Sequence, residues 1–112
     1  MEKEISCKPY VVSQEFNESR ESIYGYTLEI FGYFQAEQYK QKIRKSLDTL
    51  PAFYKAYPEC RHLATKSRKY RNIILDAHLI IYRIAEQRIE VLDIIHSASS
   101  IGKIRSARKI RL

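Results

Sequence analysis

RNIILDAHLIIYRIAEQRIEVLDIIH, residues 71–96, crowds β-branched and other apolar residues between short polar breaks, which is the composition of strand interiors. It predicts strands over residues 70–76, 78–85 and 88–96, the last two joined by a tight connection at Glu86-Gln87. Ile73, Ile74, Leu79, Ile80, Ile81, Ile84, Ile89, Val91, Leu92, Ile94 and Ile95 leave little polar surface on either face of such a sheet. One face is expected to pack on helices. The other is too apolar to stay wet and is expected to meet a bound partner. Set into this run are His78, Tyr82, Arg83 and, at its end, His96, polar groups that are costly to bury without partners. Strand parity puts His78 and Tyr82 on one face and Arg83 on the other.

Upstream, Tyr10-Val11-Val12 reads as a short first strand, and Ser13 followed by Gln14 and Glu15 reads as a helix N-cap and first turn. Phe16, Ile23, Tyr26, Thr27 and Ile30 fall near one helical face, and Gly32 ends the helix. In a second helix, Ala36, Tyr39, Ile43, Leu47 and Leu50 are spaced three or four apart, with Pro51 near its end and Pro58 closing the segment. The two helices are expected to form an antiparallel hairpin, each burying its stripe. The expected class is therefore α+β, an N-terminal helical hairpin packed on a small antiparallel sheet. Residues 1–100 form a single domain in this reading, and residues 101–112 a basic C-terminal tail that is either a short helix or loose.

At 112 residues with 45% apolar composition, the chain is long enough for one core and too apolar for a disordered chain. No apolar run reaches the roughly 20 residues of a membrane helix, and the acidic start (Met1 to Glu4) does not look like a signal peptide. A cytoplasmic protein without membrane contact is expected. Cys7 and Cys60 are too few and too far apart for a disulfide framework or a zinc site, so both are read as ordinary thiols. The net charge of +7 implies an acidic partner or substrate. The cations concentrate in residues 61–71 and in the tail, at Lys103, Arg105, Arg108, Lys109 and Arg111.

Acid–base chemistry on RNA would need a base, an acid and cations, roles that His78, His96, Arg71 and Arg83 suit by type. The competing reading makes the histidines hydrogen-bonded structural residues. Two histidines without a suitably spaced Asp, Glu or Cys are a weak metal signal, and three glycines provide no phosphate-binding loop. No catalytic residue, metal or cofactor is assigned. The nine tyrosines are read as packing residues rather than stacking platforms. Pattern alone stops at a basic α+β domain that binds something acidic.

The ordered set of segments resembles the RelE/ParE superfamily of bacterial type II toxin–antitoxin (plasmid stabilisation) modules, and within it the ParE branch. Tyr10-Val-Val-Ser13, Ile23-Tyr24-Gly-Tyr26-Thr27, and Gly32 with Gln35-Ala36-Glu37-Gln38-Tyr39 are similar to the ParE hairpin, and Leu47, Leu50 and Pro58 fall where the family ends it. Arg71, His78-Leu-Ile-Ile-Tyr82-Arg83-Ile and Ile89-Glu-Val-Leu-Asp-Ile-Ile-His96 are similar to its strands. The resemblance implies a non-enzymatic toxin that stalls DNA gyrase so that cleaved DNA accumulates. It also implies a hetero-oligomer with a cognate antitoxin whose flexible acidic or amphipathic segment wraps the toxin. Sequence-specific DNA binding is not expected. The residues expected to contact target or partner are Arg71, His78, Tyr82, Arg83, His96, Lys103, Arg105 and Arg108. Arg71, Arg83 and His96 are further expected to form one polar cluster at the end of the sheet.

Two departures from the ParE pattern stand out. Asp93 occupies a position where the family carries Arg, and Ser97-Ala98-Ser99-Ser100 replaces a Gly/Arg-rich segment. A RelE-like ribosome-dependent mRNA endoribonuclease is the alternative, although Leu79 stands where that branch has an Arg. A detoxified member that only binds antitoxin is the third reading, supported by Asp93 and Ser97 to Ser100.

Overall fold

Ser13 sets the geometry of the first half of the molecule. The computed structural model describes residues 7–112; the acidic start, Met1 to Glu4, lies outside the described residues. The Ser13 hydroxyl accepts from the Phe16 amide at 2.9 Å as an N-cap and donates to the Leu92 carbonyl at 2.6 Å. One side chain thus starts helix α1 (Gln14–Phe31) and pins that start to strand β4 (Ile89–His96). Gly32, at φ 92°, is the single residue between α1 and α2 (Tyr33–Phe53). A side chain there would be held in the left-handed region, so glycine is what lets the hairpin turn on one residue.

The predicted stripe of α2 is buried: Ala36, Ile43, Leu47 and Leu50 face the core, with Tyr39 half-buried. The predicted stripe of α1 is not. Only Phe16 is fully buried, whereas Tyr26 is 63% and Ile30 55% exposed. The C-terminal half of α1 projects past the sheet, so its apolar residues have no layer beneath them.

Strands β2 (Tyr70–Ile74), β3 (His78–Ile84) and β4 pair antiparallel as expected, in a sheet of order β1-β4-β3-β2. Strand β1 (Tyr10–Val12) adds a parallel edge, with Tyr10 opposite Ile89. A bulge in β4 at Leu92 shifts the register, so that Ile81 faces Asp93 while Tyr82 faces Val91. It lets Val91 and Ile94 both point at the helices although they differ in parity.

One face of the sheet packs on the hairpin through Ile73, Ile80, Tyr82, Ile89, Val91 and Ile94. The other face is covered by the chain itself, contrary to the expectation of a bound partner. Helix α3 (Ile101–Ser106) and a 3-10 turn (Ala107–Lys109) fold back over it. Ile104 and Ala107 join Cys60, Leu63, Tyr70, Ile81, Leu92 and Ile95 in a second core, with Ile110 packed against it. Ser100 caps α3 by accepting from the Lys103 amide. Burial pushes the Cys60 thiol up to about 11, which leaves it protonated and unreactive at neutral pH. Among the described residues, no helix is long and apolar enough to cross a membrane.

Candidate functional site

The residues singled out in the sequence separate into two groups at opposite ends of the sheet. His78 pairs with His96, whereas Arg83 pairs with Tyr70 and Arg71 with Tyr82. Arg83 lies five residues along β3 from His78, about 17 Å at the rise of a strand. The expected cluster of Arg71, Arg83 and His96 therefore does not form.

Each member of the arginine end already has partners. Arg71 donates to the carbonyls of Lys55 (2.8 Å), Tyr57 (2.9 Å) and Arg68 (3.0 Å). The Tyr82 hydroxyl, fully buried, donates to the Tyr54 carbonyl at 2.6 Å. The Tyr82 bond satisfies the carbonyl of the α2 C-cap residue, and the Arg71 bonds tie the turn after α2 to the segment before β2. Arg83 lies on the opposite face, as parity predicts. It pairs with Glu90 at 2.6 Å and also donates to the carbonyls of Arg108 and Ile110, holding the C-terminal segment down. Burial alone would raise the Glu90 carboxyl; hydrogen bonds from Arg83 and then Arg88 outweigh it and hold the group below its ordinary range.

The histidine end is different, because it opens onto a groove. Its volume is about 1070 Å³, and it runs between the α1–α2 hairpin and the β2–β3 turn. Its floor carries Tyr39, His78 and His96; its apolar wall carries Tyr26, Phe31 and Phe34; Lys42, Lys45 and Asp76 line its rim. Tyr39 Oη lies 2.7 Å from His78 Nδ1, and the two imidazoles meet edge to face with centroids 5.6 Å apart. Burial lowers the His78 pKa, and the neighbouring His96 lowers it further, so His78 is neutral at pH 7. His96 Nδ1 accepts from the Ala98 amide at 3.0 Å, which leaves Nε2 to face outward. Lys42 pairs with Asp76 at 2.8 Å, an exposed pair of small energetic consequence.

What this groove offers is contact surface. Phe31 is 59% and Phe34 72% exposed, and Tyr33, Ile30 and Leu28 beside them are also exposed. So many exposed apolar side chains around one helical turn mark an interaction site. The sequence reading missed it by assigning Tyr26 and Ile30 to the core. The available signal was six large apolar residues between Tyr26 and Phe34, bracketing a one-residue helical turn that no second layer can cover.

Asp93 is withdrawn from the surface. Its Oδ1 accepts from the Ser19 hydroxyl at 2.7 Å and from the Ile94 amide at 2.8 Å, tying α1 to the bulge in β4. Burial raises its pKa against the opposing effect of those two bonds. Lys103, Arg105 and Arg108 lie on the segment that covers the second core, and Lys103 is near enough to Asp93 to oppose the rise in its pKa.

The family described as "ParE toxin of type II toxin-antitoxin system, parDE" matches residues 10–101. The solved structure "Chromosomal ParDE TA system from P. aeruginosa" is similar in fold, with a TM-score of 0.67 at 14% identity, over 81% of this chain and 97% of that one. Among curated proteins, none matches the sequence.

Proposed function

We propose, starting from the fact that this chain belongs to the ParE toxin family of type II toxin–antitoxin systems, that it acts in the cytoplasm as a protein inhibitor of DNA gyrase and is silenced by a partner antitoxin. The observation that carries this reading is the family match, which spans the hairpin and all four strands. The groove supports the antitoxin part. An amphipathic segment would lay apolar residues on Tyr26, Phe31 and Phe34, and its acidic residues would meet Lys42 and Lys45. His78 and His96 at the floor would then be contact residues rather than catalysts.

Two further features bear on the competing readings. A ribonuclease built on Arg71, Arg83 and His96 would need them around one phosphate, and they lie at opposite ends of the sheet. The Asp93 carboxylate is buried against Ser19, so the charge reversal does not stand on the surface to repel a target.

The reading is tested with purified gyrase and supercoiled plasmid. The protein should cause linear DNA to accumulate after detergent and protease treatment, and the co-encoded antitoxin should prevent it. Phe31→Ser with Phe34→Ser should weaken the antitoxin's protection while leaving the fold intact, because both side chains are exposed. Undiminished supercoiling with no cleaved DNA would refute the gyrase assignment.

A further inference from the structure

Residues 61–71 and 103–111 hold ten of the twenty Lys and Arg and no Asp or Glu, which leaves the rest of the chain at net −3. The two segments are far apart in sequence, yet they share one face of the sheet. Leu63 and Tyr70 pack in the same cluster as Ile104 and Ala107, and Arg83 ties the carbonyls of Arg108 and Ile110 to that side. Arg61, Lys66, Lys69, Lys103, Arg105 and Arg108 are exposed there, as are Lys109 and Arg111. Of the ten cations, Arg68 alone is in an ion pair among the described residues, with Glu59 at 3.5 Å, and Arg71 is held by backbone carbonyls. Eight exposed cations without an ion-pair partner are thus carried by the segments on the side away from the helical hairpin, whereas Arg71 is turned to the end of α2.

The same face lacks what other partners need. Its apolar residues Leu63, Ile104 and Ala107 are buried in the second core, so an amphipathic peptide would find charge but no groove. Tyr70 is 8% exposed, and the exposed aromatic residues Tyr26, Phe31, Tyr33, Phe34 and Phe53 all lie on α1 and α2. His62 is the one exposed aromatic ring of the two segments, too few for the successive stacking platforms that a single strand needs. Helix α3, six residues long, is too short to read a major groove.

We propose that this face, formed by the loop of residues 61–69 and the 103–111 segment, binds the phosphate backbone of duplex DNA without regard to sequence. A set of exposed cations without ion-pair partners is the requirement of such binding. It would place the toxin on DNA with the groove still free on the other side of the sheet. The inference does not depend on the gyrase reading, because it is measured in the absence of gyrase.

The test is fluorescence anisotropy of a labelled duplex of about 20 bp, titrated with the full-length protein between about 50 and 200 mM salt. With five to eight phosphates engaged, Kd should rise from about 5 × 10²-fold to about 2 × 10⁴-fold over that range. The combined Arg105→Gln, Arg108→Gln and Lys109→Gln variant should lower the log–log salt slope by about 3. These side chains are exposed, and circular dichroism checks that the variant is folded. Neutralising Lys40, Lys42 and Lys45 on α2 removes the same charge from the other side of the sheet and should leave the slope in place. Several results would overturn the proposal: no salt-dependent binding, an equal loss in the α2 variant, an unchanged slope in the tail variant, or poly-glutamate competing as well as unlabelled duplex at equal charge.

Discussion

Replacing Ile104 by Ala tests whether the C-terminal segment is part of the folded core or an electrostatic appendage. Ile104 is 6% exposed and packs with Ala107, Leu92 and Ile95 on the second sheet face. Truncating it removes three buried carbons and leaves a cavity that the short α3 can only partly close, a change that costs about 2–5 kcal/mol. For a chain of 112 residues the entropy of unfolding is about 0.24 kcal/mol/K, so the melting midpoint should fall by about 10–20 °C. Urea denaturation of wild type and variant, followed by circular dichroism, gives the number directly. Arg105→Gln on the exposed side of the same helix should change stability by less than about 0.5 kcal/mol. The contrast separates apolar packing from charge. If Ile104→Ala cost less than about 0.5 kcal/mol, the segment would not be holding the sheet face and the second core would be misassigned.

Tyr82→Phe removes the buried donor to the Tyr54 carbonyl and should cost about 1–3 kcal/mol, measured by the same denaturation, with no change in the groove. Arg83→Gln leaves Glu90 with Arg88 alone, so the loss should stay below the roughly 3–5 kcal/mol of a fully buried pair. Because the Glu90 pKa is depressed, its contribution is present above pH about 4.5 and lost as pH falls through the folded value; in Arg83→Gln that acid limb should flatten. The His78 pKa is lowered, so the folded state binds fewer protons there than the unfolded chain, and stability should fall as pH drops below about 6.5. His78→Gln should remove that slope in melts between about pH 8 and pH 5.5, and an unchanged slope would place the titration elsewhere.

The α2 stripe was legible because burial on a helix repeats every three or four residues, and Ala36, Ile43, Leu47 and Leu50 obey that spacing under a full layer of sheet. The C-terminal half of α1 shows the same kind of spacing without the layer. Periodicity reports which residues share a face, not whether anything lies beneath it, and so Tyr26 and Ile30 were misplaced and the groove went unseen. The fold-back of residues 101–110 carried a faint signal in Ser100 followed by Ile101, Ile104, Ala107 and Ile110 at intervals of three, which the dense cations obscured. The β1 edge is three residues long, too short for sequence alone to choose parallel over antiparallel pairing. As for the site, strand parity placed His78, Tyr82 and Arg83 on their correct faces. It could not say which end of a strand meets a groove and which meets the end of a helix, and the arginine cluster failed on that point.

The central claim, that this ParE-family chain arrests growth through gyrase, is tested most directly by tightly induced expression in a bacterial host with labelled thymidine and labelled methionine followed over the first minutes. An early fall in thymidine incorporation while methionine incorporation continues is the predicted result. An early fall in methionine incorporation with DNA synthesis intact would contradict it and point to the ribosome instead.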